Sequence, residues 1–176
     1  MVDADDEGRR AARAAEALKA AAIQRTGLRD FGDDAEYMPG LCTLIRSIDQ
    51  DVPLADEAKQ IASGALLGPL VSRLYAHEGW KRRADCLARP VSAPVIILGL
   101  PRTGTTALHR LLSFDPQFQG PELWLMNTPM PRPPRAQWQS HARYRECVAT
   151  SEALAGGAPR LTRLHPRGAD LFDGCK

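Results

Sequence analysis

The sequence carries little net charge of either sign. Its 23 Lys and Arg residues against 21 Asp and Glu leave a formal charge of +2 over 176 residues, too weak a field to select nucleic acid or an anionic membrane. Paired cysteines are missing too. Cys42, Cys86, Cys147 and Cys175 are scattered, which excludes the close spacing of zinc and redox sites and argues against a dense disulfide framework. A reducing cytoplasm fits that usage. No export signal is visible, because the first seven residues are acidic where a leader needs positive charge and then an apolar stretch. The most apolar run, Val95-Ile96-Ile97-Leu98-Gly99-Leu100, is far shorter than the roughly 20 residues that span a bilayer, and no repeat of 20 to 50 residues recurs. The expectation is a soluble, cytoplasmic protein with no nucleic-acid partner and no transmembrane segment. A hydrophobic content of 44% is enough to build a core.

What is present falls into two stretches of different character. Residues 8–24 are rich in Ala, Arg, Glu, Leu and Lys and stop at Gly27, which predicts a helix. Pro39 can open a second helix, in which Leu41, Leu44, Ile45 and Ile48 share one face that should be buried. A third begins near Asp56, breaks at Gly68-Pro69 and resumes through Leu70, Val71, Leu74 and Tyr75. The cluster Lys81, Arg82, Arg83 and Arg89 reads as a solvated face, and alternatively as a contact for an acidic partner. Residues 1–90 thus form a helical N-terminal segment. From residue 91 the pattern changes. Val95-Ile96-Ile97-Leu98 lacks polar alternation and is bounded by Pro and Gly, as in a fully buried parallel strand. A Gly/Pro/Thr turn follows, then Ala107, Leu108, Leu111 and Leu112 at helical spacing, ending near Asp115-Pro116. The proline-rich residues 116–135 predict a surface loop, and a last helix is expected over residues 135–154.

The turn after the expected strand is the segment that points to chemistry. Gly99-Leu100-Pro101-Arg102-Thr103-Gly104-Thr105-Thr106 has the frame of a phosphate-binding loop, two glycines four residues apart and a hydroxyl residue in the last position. Thr105 stands where nucleoside triphosphatases keep their lysine, which argues against ordinary ATP or GTP hydrolysis. Arg102 is the nearest cation, with a planar fork suited to phosphate or sulfate. A strand feeding such a loop into a helix start aims backbone N–H groups of about Thr103 to Thr106, and the positive helix end, at one anion. The three threonines add hydroxyls.

In this loop the sequence resembles the sulfotransferases that use 3′-phosphoadenosine-5′-phosphosulfate (PAPS), in particular a bacterial branch whose loop reads P-R-[ST]-G-T-T. The resemblance extends through Leu108-His109-Arg110-Leu111-Leu112, Asp115-Pro116 and the Trp124 and proline-rich stretch, roughly residues 94–135. It implies that Arg102, Thr103, Gly104, Thr105 and Thr106 grip the 5′-phosphosulfate of PAPS, that no metal is needed, and that a small-molecule or lipid hydroxyl accepts the sulfuryl group. The implied fold is α/β, the N-terminal part of a P-loop-like three-layer domain that starts at residue 91 and is preceded by the helical segment. The family's base is a His or a Glu. Glu122, in a stretch that returns past the donor site, and His165 are the candidates here, although Glu122 also reads as an ordinary surface carboxylate and His165 as a solvated loop histidine. His109 reads as structural. The family's later strands and its 3′-phosphate element find no counterpart in the few residues after His165. A truncated sulfotransferase, inactive alone or completed by a second chain or oligomer, is therefore expected.

Two further readings stay open on the residues. One is a non-catalytic nucleotide- or anion-binding remnant that kept the loop; the other is a P-loop kinase for a small molecule, which would want a lysine after Gly104 and a downstream magnesium-binding aspartate. The N-terminal helices are a further candidate for part of an acceptor pocket, on their bulk alone.

Overall fold

The computed structural model describes residues 4–51, 53–100, 103–157, 160 and 168–171. They divide into two compact units, Met1–Arg83 and Ala84–Lys176.

Helices make up the first unit: α1 (Ala4–Thr26), α2 (Met38–Gln50), α3 (Asp56–Ala65) and α4 (Leu67–Arg82). The helix-rich composition of residues 8–24 gives α1, whose buried face is made of small residues, Ala11, Ala15 and Ala22. Small side chains let α2 and α4, its main packing partners, approach closely. Proline stands in the first turn of α2, and Pro69 likewise falls in the first turn of α4, where a missing N–H costs no helical bond. The break expected at Gly68-Pro69 therefore lies just before it, at Leu66. One core gathers Ala22, Phe31, Leu70, Val71 and Leu74; a second gathers Ala11, Ala15 and Ile45. The apolar face of α2 is only partly covered, for Ile45 is buried while Leu44 is 47% exposed. The connection from α1 to α2 is pinned by charge. Lys19 pairs with Asp34 at 2.8 Å, Tyr37 donates to Asp34 at 2.7 Å, and Arg73 pairs with Glu36 at 2.6 Å while lying 4.5 Å over the Tyr37 ring. The basic cluster at the end of α4 is solvated and locally neutralised, with Lys81 on Asp30, Arg82 on Glu78 and Arg89 on Asp85.

The second unit contains α5 (Thr105–Ser113), α6 (Leu123–Asn127) and α7 (Ala142–Gly157), with 3-10 turns at Ala84–Cys86 and Arg135–Gln137. Its core is aromatic. Trp124, fully buried, lies 5.6 Å from Trp138, 5.7 Å from Tyr144 and 5.2 Å from His141, ring centre to ring centre, distances at which edge-to-face rings attract. Leu123, Leu125, Cys147 and Ala169 close the cluster. The main chain of residues 168–171 is tied to the start of α6, where Leu123 N–H donates to Leu171 O at 3.0 Å and Trp124 N–H to Ala169 O at 3.1 Å.

Two expectations require correction here. Among the described residues there is no strand and no sheet, so the α/β, three-layer architecture is not what the chain adopts. Residues 95–98 have the composition of a buried strand, yet Val95, Ile96 and Leu98 are 57%, 74% and 88% exposed. The reason is that a strand exists only through its neighbours; no extended segment among the described residues offers a ladder, and no hydrogen bond involves residues 95–99 there. The helix expected over 135–154 is also shifted. Pro134 caps a single 3-10 turn that swings Trp138 into the core, with its indole N–H on Pro133 O at 2.9 Å, and the helix proper starts only at Ala142.

Candidate functional site

The loop from Gly99 to Thr106 is shaped by two glycines. Gly104 caps α5 with φ 91° and ψ 10°, a left-handed conformation that costs any residue with a Cβ roughly 1–2 kcal/mol. It turns the chain sharply enough for α5 to begin at the next residue, and the Leu108 N–H closes the first turn on Gly104 O at 3.0 Å. Gly99 serves by its lack of volume. A Cβ placed on it would lie 2.7 Å from Cγ2 of Thr105 and 2.8 Å from Oγ1 of Thr103, both inside van der Waals contact. The entry to the loop is thus pressed against its exit.

Thr103 closes the turn from the other side. Its hydroxyl donates to Leu100 O at 2.6 Å, so in this state the side chain braces the loop and its proton is committed to the backbone. Thr103 and Gly104 are exposed, and Thr105 and Thr106 are half-buried at the head of α5. A helix start of this kind presents first-turn N–H groups and the positive end of the helix dipole, the arrangement that suits one phosphate- or sulfate-sized anion. Arg102 lies outside the described residues.

Glu122 is not the surface carboxylate that its sequence context allows. It is 3% exposed, directly before α6. Its carbonyl accepts from the N–H groups of Leu125 and Met126, both at 3.0 Å. Its carboxylate Oε2 sits 2.8 Å from the Arg132 guanidinium, an ion pair outside hydrogen-bond geometry, and Arg132 also donates to Gly120 O at 2.6 Å. That guanidinium ties the proline-rich segment to the stretch before α6. Arg132 carries no motif, and nothing in the sequence joins a loop arginine to a carboxylate ten residues earlier. His165 lies outside the described residues. His109 is half-buried on α5, where its carbonyl accepts from the Ser113 hydroxyl at 2.8 Å. Among the described residues no group of three or more His, Cys, Asp or Glu side chains is placed to hold a metal ion, and no helix is long and apolar enough to cross a membrane.

Residues 94–170, which include both the loop and the aromatic core, match a model of the sulfotransferase family. Over those residues the chain is similar to the sulfotransferase family. A sulfotransferase of Mycobacterium tuberculosis is similar in structure, with a TM-score of 0.73 and 34% identity over 82% of this chain and 40% of its own. One of Mycobacterium avium gives 0.67 and 26% over 83% and 37%. The chain therefore spans about two fifths of the length of these solved sulfotransferases. A search of curated proteins finds no match.

Proposed function

We propose that this sulfotransferase-like chain forms the donor-binding part of an enzyme that moves a sulfuryl group from PAPS to the hydroxyl of a small molecule or lipid, in the cytoplasm and without a metal. The observation that carries the reading is the Gly99 contact. A loop drawn tight enough that a single methyl group would strike Thr103 and Thr105, turned by a left-handed Gly104 into a helix start, is built to approach an anion with backbone.

In this reading Thr103 to Thr106 hold the 5′-phosphosulfate through main-chain N–H groups, and the Thr105 and Thr106 hydroxyls and the Arg102 guanidinium add bonds to its oxygens. Thr103 Oγ1, bonded to Leu100 O, fixes the shape of the loop. PAPS supplies an activated sulfuryl group: the acceptor oxygen bonds to sulfur as the sulfur–oxygen bond to the 5′-phosphate breaks, and the acceptor's proton passes to a base. Positive charge preorganised around the loop is worth most as negative charge builds on the leaving phosphate oxygen. Glu122 or His165 takes the proton. For Glu122 the acceptor hydroxyl must reach a carboxylate that is already 2.8 Å from Arg132.

A second reading, an anion-binding module without turnover, is favoured by one observation, the absence of a sheet beside residues 95–100 among the described residues. Isothermal titration with 3′-phosphoadenosine-5′-phosphate separates the outcomes. Binding that Arg102→Ala weakens tenfold or more supports the donor site, and sulfuryl transfer from PAPS to an acceptor panel then distinguishes enzyme from module. No binding by a folded chain overturns both.

A further inference from the structure

Glu122 is held by contacts that nothing in its own segment explains. With 3% of its surface exposed it has given up water, and a buried carboxylate without a partner is costly to keep. Arg132 supplies the partner, and a single nitrogen meets two groups: Nη2 lies 2.8 Å from Glu122 Oε2 and donates to Gly120 O at 2.6 Å. The guanidinium therefore fixes both the side chain of Glu122 and the main chain two residues before it. The main chain at and after Glu122 is fixed as well. Its carbonyl accepts from the Leu125 and Met126 N–H groups, and the N–H groups of the next two residues donate to Leu171 O and Ala169 O.

We propose that Arg132 is the positioning residue for the Glu122 carboxylate, and that the proline-rich segment is the stiff arm that presents it. Two features of the arm favour this role over general packing. Pro131 and Pro133 flank Arg132, so both neighbours have a fixed φ, and Arg132, directly before a proline, is restricted to extended backbone. The next residue is anchored in turn. Pro133 O accepts from the indole N–H of Trp138 at 2.9 Å, and Trp138 is 5% exposed within the aromatic core. Trp138, Pro133, Arg132 and Glu122 thus make a continuous line of contacts from the core to the carboxylate. A flexible Glu side chain loses rotamer freedom when it is held this way, and a group that meets a substrate must be held to within about 0.5 Å. The use of that position for proton transfer rests on the reading of Glu122 as a candidate base; the positioning itself does not.

Carbon NMR relaxation of the Glu122 side chain in the full chain tests it, because side-chain order reports position and is not moved by a loss of overall stability in a chain that remains folded. In the parent the order parameter should lie above about 0.8, and in Arg132→Met it should fall below about 0.6. Arg132→Lys keeps the charge without the fork and should fall between the two. Trp138→Phe keeps an aromatic ring but loses the N–H that bonds Pro133 O, and it should lower the order of Glu122 without touching it. Should Arg132→Met not fold, rotation of the Arg132 guanidinium decides: it should be on the order of tenfold faster in Glu122→Gln than in the parent, once the paired charge is gone. A Glu122 side chain already mobile in the parent, one whose order is the same in folded Arg132→Met, or a guanidinium that turns equally fast in Glu122→Gln would overturn the proposal. Titration with 3′-phosphoadenosine-5′-phosphate is read separately, so a chain that binds no donor counts against the donor site and leaves the order of Glu122 as the measure of Arg132.

Discussion

Replacing Gly99 with alanine tests the link between the shape of the loop and its ligand. The new methyl group would sit 2.7 Å from Thr105 Cγ2 and 2.8 Å from Thr103 Oγ1, where carbon neighbours prefer about 3.5–4.0 Å. Each threonine must therefore retreat by on the order of 1 Å. Thr103 is exposed, so it can turn outward and release Leu100 O, and the folded chain escapes most of the strain. A bound anion removes that freedom, since it needs the closed loop, and holding the closed loop then costs the usual overpacking penalty of about 1–3 kcal/mol. At about 1.4 kcal/mol per tenfold, affinity for 3′-phosphoadenosine-5′-phosphate should fall roughly 5- to 150-fold, while Tm moves by no more than a few degrees. Thr103→Ser, which keeps the hydroxyl that bonds Leu100 O, should bind nearly as well as the parent. Titration calorimetry with parallel thermal melts reads both quantities. If Gly99→Ala binds within twofold of the parent, the tight loop is not what receives the anion.

Two further outcomes concern the units themselves. Trp124→Ala empties the centre of the aromatic core, and a fully buried Trp in contact with Trp138, Tyr144 and His141 should cost about 3–5 kcal/mol; denaturant unfolding that shifts by less than about 1 kcal/mol would contradict the packing described. Stability should also fall at high pH. Burial, and then its bond to Asp34, push the Tyr37 hydroxyl up to about 12, so between pH 10 and 12 the unfolded chain binds fewer protons than the folded one and folding weakens as pH rises. Lys19 acts in the same direction: burial opposes its charge, but the bond to Asp34 and nearby negative groups outweigh burial and raise it, so its contribution is complete below its ordinary value of 10.5 and fades as pH climbs through the raised one. The site is partly open to water, so about 1–2 kcal/mol is the expected loss. Tyr37→Phe should flatten the alkaline slope in thermal melts from pH 8 to 12, and an unchanged slope would refute the assignment.

The contrast between what the sequence displays and what the chain adopts follows from how far each feature reaches. Helices α1 to α5 are written locally, in helix-forming residues, first-turn prolines and a stop at Gly27, and they occur near where those signals place them, the break between α3 and α4 falling at Leu66 rather than at Gly68-Pro69. The loop is local as well, since two glycines and three threonines within eight residues set its shape. Residues 95–98 are the opposite case. A run of Val and Ile records only that a segment suits burial between neighbours; which neighbours, and from which molecule, is information held elsewhere. Glu122 shows the same limit for a site. Nothing near it distinguishes a surface carboxylate from one buried against Arg132, because the distinction is made by α6, by the main chain at Ala169 and Leu171, and by an arginine ten residues on. The exposed apolar segment and the anion loop share Gly99, the residue at which a nonlocal requirement meets a local one.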